Sequence, residues 1–183
     1  MGILEFVQVL VAIILGLGMA ELLRGYADFL RPGDRQFSGL LIGFSLWLFL
    51  ALIQFWWFGW RLSEVTTWQF YELLFYLLGP TIYFVLTRLA FPNPTESQNL
   101  VEYYSEVASR LWSLVAAFYV YAIGLNVLLL DVSIWSGGPV SQAFLAIYAA
   151  ICSQMKNRYL HGIGVVLLIT QVLWRGLTNV VAS

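Results

Sequence analysis

The chain has 183 residues, of which 61% are hydrophobic and only 10% charged, and its formal net charge is −1. Soluble domains carry about 25% charged residues, so a mean hydropathy of +0.81 excludes a water-soluble fold, which could not cover this much apolar surface. The charge balance leaves no footprint for nucleic acid, and Cys152, the only cysteine, excludes an intramolecular disulfide and any two-cysteine redox motif.

Lipid is the solvent this composition suits. There, backbone polar groups must be satisfied within the protein, which leaves helices or closed barrels. Barrel strands would alternate apolar and polar residues over about ten positions. The runs here are longer and apolar on all sides. The expected fold class is therefore all-α: a polytopic membrane helix bundle of about six transmembrane helices, in a single domain over residues 1–183.

A span needs about 20 residues. The first falls near Ile3–Leu23. It opens on Glu5 without a basic residue, so it does not read as a cleaved signal, although Gly18-Met19-Ala20 resembles a small-x-small cleavage site. Phe6 stands where a myristoylation motif wants Ser or Thr. Arg31-Pro32-Gly33-Asp34 then supplies turn chemistry. The second span falls near Ser38–Trp60 and the third near Gln69–Ala90. Within the third, Gly79-Pro80 predicts a kink, because proline removes one backbone donor and clashes with the carbonyl four residues back.

Phe91-Pro92-Asn93-Pro94 ends the third span and opens the longest connection, a linker over residues 92–106 expected in the cytoplasm. Thr95 with Gln98 fits a capping box. Leu100, Tyr103, Tyr104, Val107 and Leu111 recur at helical spacing, so the fourth helix is expected to start before its span near Val107–Leu130. Ser136-Gly137-Gly138-Pro139 reads as a turn before a short fifth span near Val140–Met155, and the sixth falls near Tyr159–Leu177. Three spans on either side of the long linker would fit an inverted repeat, but the halves show no residue match.

Seven of the nine basic residues (Arg24, Arg31, Arg35, Arg88, Arg110, Lys156 and Arg158) lie on the first, third and fifth loops and their flanks; Arg61 and Arg175 lie on the opposite side. The positive-inside rule then puts these three loops in the cytoplasm and both termini on the non-cytoplasmic side. This orientation brings Gln8, Gln54, Glu72, Asn126, Gln142, Gln171 and Arg175 to the outer third of their spans. Six of the eight tryptophans share that end: Trp56, Trp57, Trp60, Trp68, Trp135 and Trp174. Glu5, Arg61 and Asp131 sit near span ends and need no cavity.

One reading of this group is an outward-opening polar vestibule that binds a solute. Its candidate residues are Gln8, Gln54, Glu72, Asn126, Gln171 and Arg175, with Glu72 and Arg175 as an ion pair, since ionisable groups within spans face the bundle interior or water. The plainer reading is interhelical hydrogen bonding beneath an aromatic belt. At the other end, Glu21, Arg24 and Asp28 follow i, i+3, i+7 and form an ion-pair ladder along one helix face. Their alternative role is a gate or proton site at Glu21. Gly16 with Ala20, and Gly39 with Gly43, are small-xxx-small pairs suited to close helix contacts, within the chain or between copies.

His161 is the only histidine and reads as an interfacial or satisfied core residue. No metal site and no cofactor are expected: bis-histidine haem ligation is impossible, and the only lysine, Lys156, lies in a loop. No zinc-protease, nucleophile-elbow or P-loop motif occurs, so no enzyme is expected. An enzyme would need Glu21, His161 and a hydroxyl to converge.

The run from Gly16-Leu17-Gly18 to Glu21-Leu22-Leu23-Arg24-Gly25, the Gln54-Phe55-Trp56-Trp57 ending of the second span, and Tyr103-Tyr104 with Arg110-Leu111-Trp112 resemble a loose group of small bacterial membrane proteins of unknown function. In that group an aromatic residue follows the arginine directly, whereas here Leu111 intervenes. The resemblance implies about six helices in a bacterial inner membrane, and no chemistry.

These readings lead to a multi-pass protein of the inner (plasma) membrane whose first partner is the lipid bilayer. A second copy of the chain or another membrane protein would be the further partner. The favoured function is small-solute or ion binding or transport through the vestibule, which requires Gln8, Gln54, Asn126 and Gln171 to face one another around water. The alternative is a non-catalytic structural or regulatory membrane subunit with a solid interior.

Overall fold

The computed structural model describes residues 3–30, 38–64, 68–92 and 99–178. The described residues form six α-helices: α1 (Ile3–Phe29), α2 (Gly39–Phe58), α3 (Phe70–Leu89), α4 (Leu100–Leu128), α5 (Gly137–Gln154) and α6 (Arg158–Thr178). A 3-10 turn, Gly59–Glu64, continues α2. Five of the six, all but α5, are long and apolar enough to cross a membrane. Arg31 and Arg35, the turn around Pro32, and the Thr95–Gln98 capping box lie outside the described residues.

Local chemistry sets the helix starts. Ser38 caps α2, its Oγ accepting from Leu41 N–H at 3.4 Å. Asn99 caps α4 through Oδ1, which accepts from the N–H groups of Val101 and Glu102 at 3.0 and 3.2 Å. Gln69 and Glu72 form a reciprocal capping box on α3. Each cap satisfies backbone donors that a helix N-terminus leaves without an intrahelical partner. The Gly137-Gly138-Pro139 segment, expected as a turn, forms the first turn of α5 behind the N-cap Ser136. First-turn N–H groups lack helical partners, so proline forfeits no bond there.

Side-chain neighbours give the direction of each helix. Gly43 lies against Val165 and Gln54 bonds Val172, so α2 and α6 run parallel. Gly18 lies beside Thr87 and Gly25 beside Phe91, so α1 and α3 run parallel. Tyr121 bonds Tyr76 while the Phe118 ring meets that of Tyr83, so α3 and α4 run antiparallel. Asn126 reaches Gln142, and the far ends meet where Tyr104 bonds His161 just beyond α5. The six helices thus alternate in direction between two ends. One end carries Glu21, Arg24, Arg88 and Arg158; the other carries Trp56, Trp57, Trp60, Trp135 and Trp174.

The α2 helix is central and touches α1, α3, α4 and α6. Between α2, α4 and α6, Phe44, Trp47, Leu48, Leu111, Trp112 and Val115 are fully buried and fill the half nearer the basic end. Phe44 meets Trp47 and Trp112 edge-on at 5.2 and 5.9 Å, a favoured aromatic geometry. The outward faces carry Phe6, Ile13, Leu17, Phe144, Ile147 and Val166, all exposed. An exterior of this kind suits lipid rather than water.

Two buried polar networks stabilise this frame. Pro80 lies within α3 and has no N–H to offer the carbonyl of Tyr76, four residues back. Tyr121 of α4 donates its hydroxyl to that carbonyl at 3.0 Å, closing the gap the proline opens. At the α5–α6 joint, His161 is 2% exposed. Its Nε2 lies 3.1 and 2.9 Å from the carbonyl oxygens of Cys152 and Met155. Two acceptors around one nitrogen require Nε2 to carry the proton. Nδ1 then accepts from Tyr104 Oη at 2.9 Å, and Trp112 Nε1–H donates to the same hydroxyl at 3.1 Å. The chain Trp112, Tyr104, His161 is satisfied throughout and covers carbonyls that the end of α5 would leave bare.

Candidate functional site

A cavity of about 560 Å³ opens at the tryptophan-rich end. The α2 helix contributes Ala51, Gln54, Phe55 and Trp57; α4 contributes Phe118, Tyr119, Tyr121, Asn126; α5 contributes Gln142; α6 contributes Gln171, Val172 and Arg175. Tyr83 of α3 closes one wall, and Trp60 and Arg61 from the 3-10 turn stand at the rim. Rim residues Trp57, Trp60, Arg61, Gly176 and Thr178 are exposed while Asn126 and Gln142 are buried, so the space runs from the surface down to the amides. A second cavity of about 360 Å³ shares Arg61, Asn126, Gln171, Arg175 and Thr178 with the first. It extends past the start of α5, lined there by Ser136, Gly138 and Ser141.

Hydrogen bonds hold the amides in place. Gln54 Nε2 donates to Val172 O at 2.8 Å and so ties α2 to α6. Tyr119 Oη donates to Gln171 Oε1 at 3.2 Å, and Asn126 Nδ2 donates to Ala122 O and Gln142 Oε1 at 2.7 and 3.3 Å. In both glutamine contacts the oxygen is engaged, which leaves the NH₂ groups of Gln142 and Gln171 for an occupant. The Arg175 guanidinium lies against Gly138 in the first turn of α5.

Four of the six residues expected in a vestibule, Gln54, Asn126, Gln171 and Arg175, border this cavity. Gln8 and Glu72 do not. Gln8 Nε2 donates to Gly59 O at 3.0 Å, where α2 tightens into its 3-10 turn. Glu72 accepts from Gln69 N–H at 2.8 Å in the α3 cap. The Glu72 carboxylate is engaged in that cap, and among the described residues the expected Glu72–Arg175 ion pair does not form. In both cases a nearby backbone group claims the side chain.

Sequence reasoning placed Gln142 at this depth without assigning it to the vestibule, and it passed over the wall residues Tyr83, Phe118, Tyr119 and Tyr121. Arg61, near a span end in the sequence, borders both cavities and stands 5.3 Å over the Phe58 ring.

At the opposite end, Glu21 is joined to Arg24 of its own helix and to Arg88 of α3, the latter at 3.1 Å. The ladder therefore becomes an α1–α3 bridge, with Asp28 one turn further along α1. His161 is engaged with Tyr104, Cys152 and Met155, and Glu21 with Arg24 and Arg88, so Glu21 and His161 do not converge. Among the described residues no three His, Cys, Asp or Glu side chains gather to hold a metal. No family model, curated protein or solved structure matches the chain.

Proposed function

We propose that this protein is a non-enzymatic integral membrane protein that binds a small solute in the cavity at its tryptophan-rich end. The carrying observation is that four helices bring Gln54, Asn126, Gln142, Gln171 and Arg175 to one space open at its rim. Interhelical bonds of about 0.6 kcal/mol each hold Gln54, Asn126 and Gln171 in place, but they do not call for the open space that these side chains border. The aromatic half beyond the cavity, filled by Phe44, Trp47 and Trp112, favours binding over open passage.

In this reading α5 counts as a sixth span. The seven-to-two distribution of basic residues supports a cytoplasmic basic end, a periplasmic cavity mouth and outer termini in a bacterial inner membrane. The alternative of a structural or regulatory subunit draws support from Gly16 and Gly39, which face open space and would admit a second helix closely.

Solute access tests the main reading. In a Cys152→Ala background, Asn126→Cys and Gln171→Cys should react with a small membrane-impermeant thiosulfonate added outside intact cells, as should Trp135→Cys on the adjoining loop. Reaction at Trp135→Cys with none at the other two positions would mean that the cavity is closed to solutes, and the proposal would fail.

A further inference from the structure

The cavity walls carry charge of one sign. Arg61 and Arg175 border both spaces. Among the described residues lining either one there is no aspartate or glutamate. No described residue forms an ion pair or hydrogen bond with Arg175, and Arg61 has an aromatic ring for its neighbour. The Arg175 guanidinium also lies against the first turn of α5, where the helix dipole adds partial positive charge. Two cations and a helix N-terminus around one space repel one another unless an anion lies among them.

The amides point the same way. Gln142 is 5% exposed, its Oε1 is taken by Asn126, and its NH₂ has no partner. The Gln171 NH₂ is left in the same state by Tyr119. An anion in the cavity would accept from both NH₂ groups together with the guanidiniums. Gln54 has the opposite polarity: its NH₂ is bonded to Val172 and its Oε1 remains, which suits a hydroxyl on the same occupant. The exposed tryptophans at the rim mark the depth of lipid headgroups.

We infer that the cavity binds a small oxyanion, a phosphate or carboxylate group, held between Arg175 and Arg61 with the Gln142 and Gln171 amides as further donors. This rests on the solute-binding reading above and adds the sign of the solute. The phosphate could belong to a lipid headgroup or to a soluble molecule. The chemistry at the arginines is the same for both, with paired N–H donors facing oxyanion oxygens.

Protein purified in a neutral maltoside detergent is titrated with inorganic phosphate, acetate, tetramethylammonium and sorbitol, following the fluorescence of Trp57, Trp60 and Trp174 at the cavity walls. In parallel, retention of phosphatidylglycerol and phosphatidylcholine is compared by native mass spectrometry. Anions should bind and the cation and neutral solute should not. Arg175→Gln should weaken anion binding about tenfold or more, and the exposed Arg61→Gln by a smaller factor. Slow maleimide labelling of buried Cys152 in both variants verifies that they fold.

Phosphate or acetate binding without lipid preference assigns a soluble anion. Preferential retention of phosphatidylglycerol assigns a headgroup; either outcome supports the inference. Equal binding of sorbitol or tetramethylammonium, or unaltered anion binding in both arginine variants, overturns the anion assignment and leaves solute binding standing. If none of the six probes binds, both readings fall.

Discussion

Pro80 and Tyr121 show how a single residue's deficit is met by a neighbour. Without the Tyr121 hydroxyl, the Tyr76 carbonyl would be buried and bare, at a cost of about 1–3 kcal/mol. Tyr121→Phe should therefore destabilise the protein by about that amount, read as faster thiol labelling of Cys152 on heating in detergent. In a Pro80→Ala background the helical N–H returns and the same substitution should have a smaller effect. Equal effects in both backgrounds would show that the hydroxyl has no special role. Tyr104 links two groups at once, Trp112 Nε1–H and His161 Nδ1. Tyr104→Phe should cost about 2 kcal/mol or more, measured in the same way; a negligible shift would show that the network contributes no stability.

The residue scale is also where the site was least legible in the sequence. Depth along a span follows from counting residues, which placed Gln54, Asn126, Gln171 and Arg175 at one level. Rotation about the helix axis does not follow from counting when a span is apolar on every side. Gln8 and Glu72 share that level but turn to backbone groups at Gly59 and Gln69. Tyr83, Phe118 and Tyr121 could not be told from core or belt aromatics, because lining a cavity and filling a core call for the same residue type.

At the scale of elements, close approach depends on which glycine faces a neighbour. A Cβ on Gly164 would meet Trp112 and Tyr148, and one on Gly25 would overlap the Phe91 ring, whereas Gly16 and Gly39 face open space. The small-xxx-small spacing selected Gly16 and Gly39, which are not the intramolecular contacts; Gly43, its other glycine, does meet Val165. Gly164→Ala should force α6 off α4 and α5 and lower the melting temperature in detergent by several degrees. Gly16→Ala should leave it unchanged or raise it slightly through helix propensity. A loss at Gly16→Ala as large as at Gly164→Ala would point instead to a contact between copies of the chain. Helix positions were readable throughout, because an apolar run and its cap are local in sequence. The start of α5 was misread because glycine and proline serve both turns and first helical turns.

At the scale of the molecule, alternating helix directions give the bundle two chemically different ends. One carries the Glu21–Arg24–Arg88 bridge, the other the cavity and five exposed tryptophans. A reporter that is active only outside the cytoplasm should work when fused after Thr178 or within the Val132–Trp135 loop, and should fail at Asn157. The reverse pattern would invert the orientation and turn the cavity mouth toward the cytoplasm. Charge distribution made the two ends legible in the sequence. The cavity itself was not, since it depends on how five helices rotate against one another.

The central helix has a late partner. One face of α2 packs on α6, through Gly43 with Val165 and Gln54 with Val172, yet α6 is synthesised only after α3, α4 and α5. Until Arg158–Thr178 leaves the ribosome and enters the bilayer, the neighbourhood of Phe44 and Trp47 lacks its covering and the cavity lacks Gln171 and Arg175. Nascent chains halted before that point would present an unfinished seam to chaperones and membrane proteases, so the packing of α2 waits on a segment made well after it.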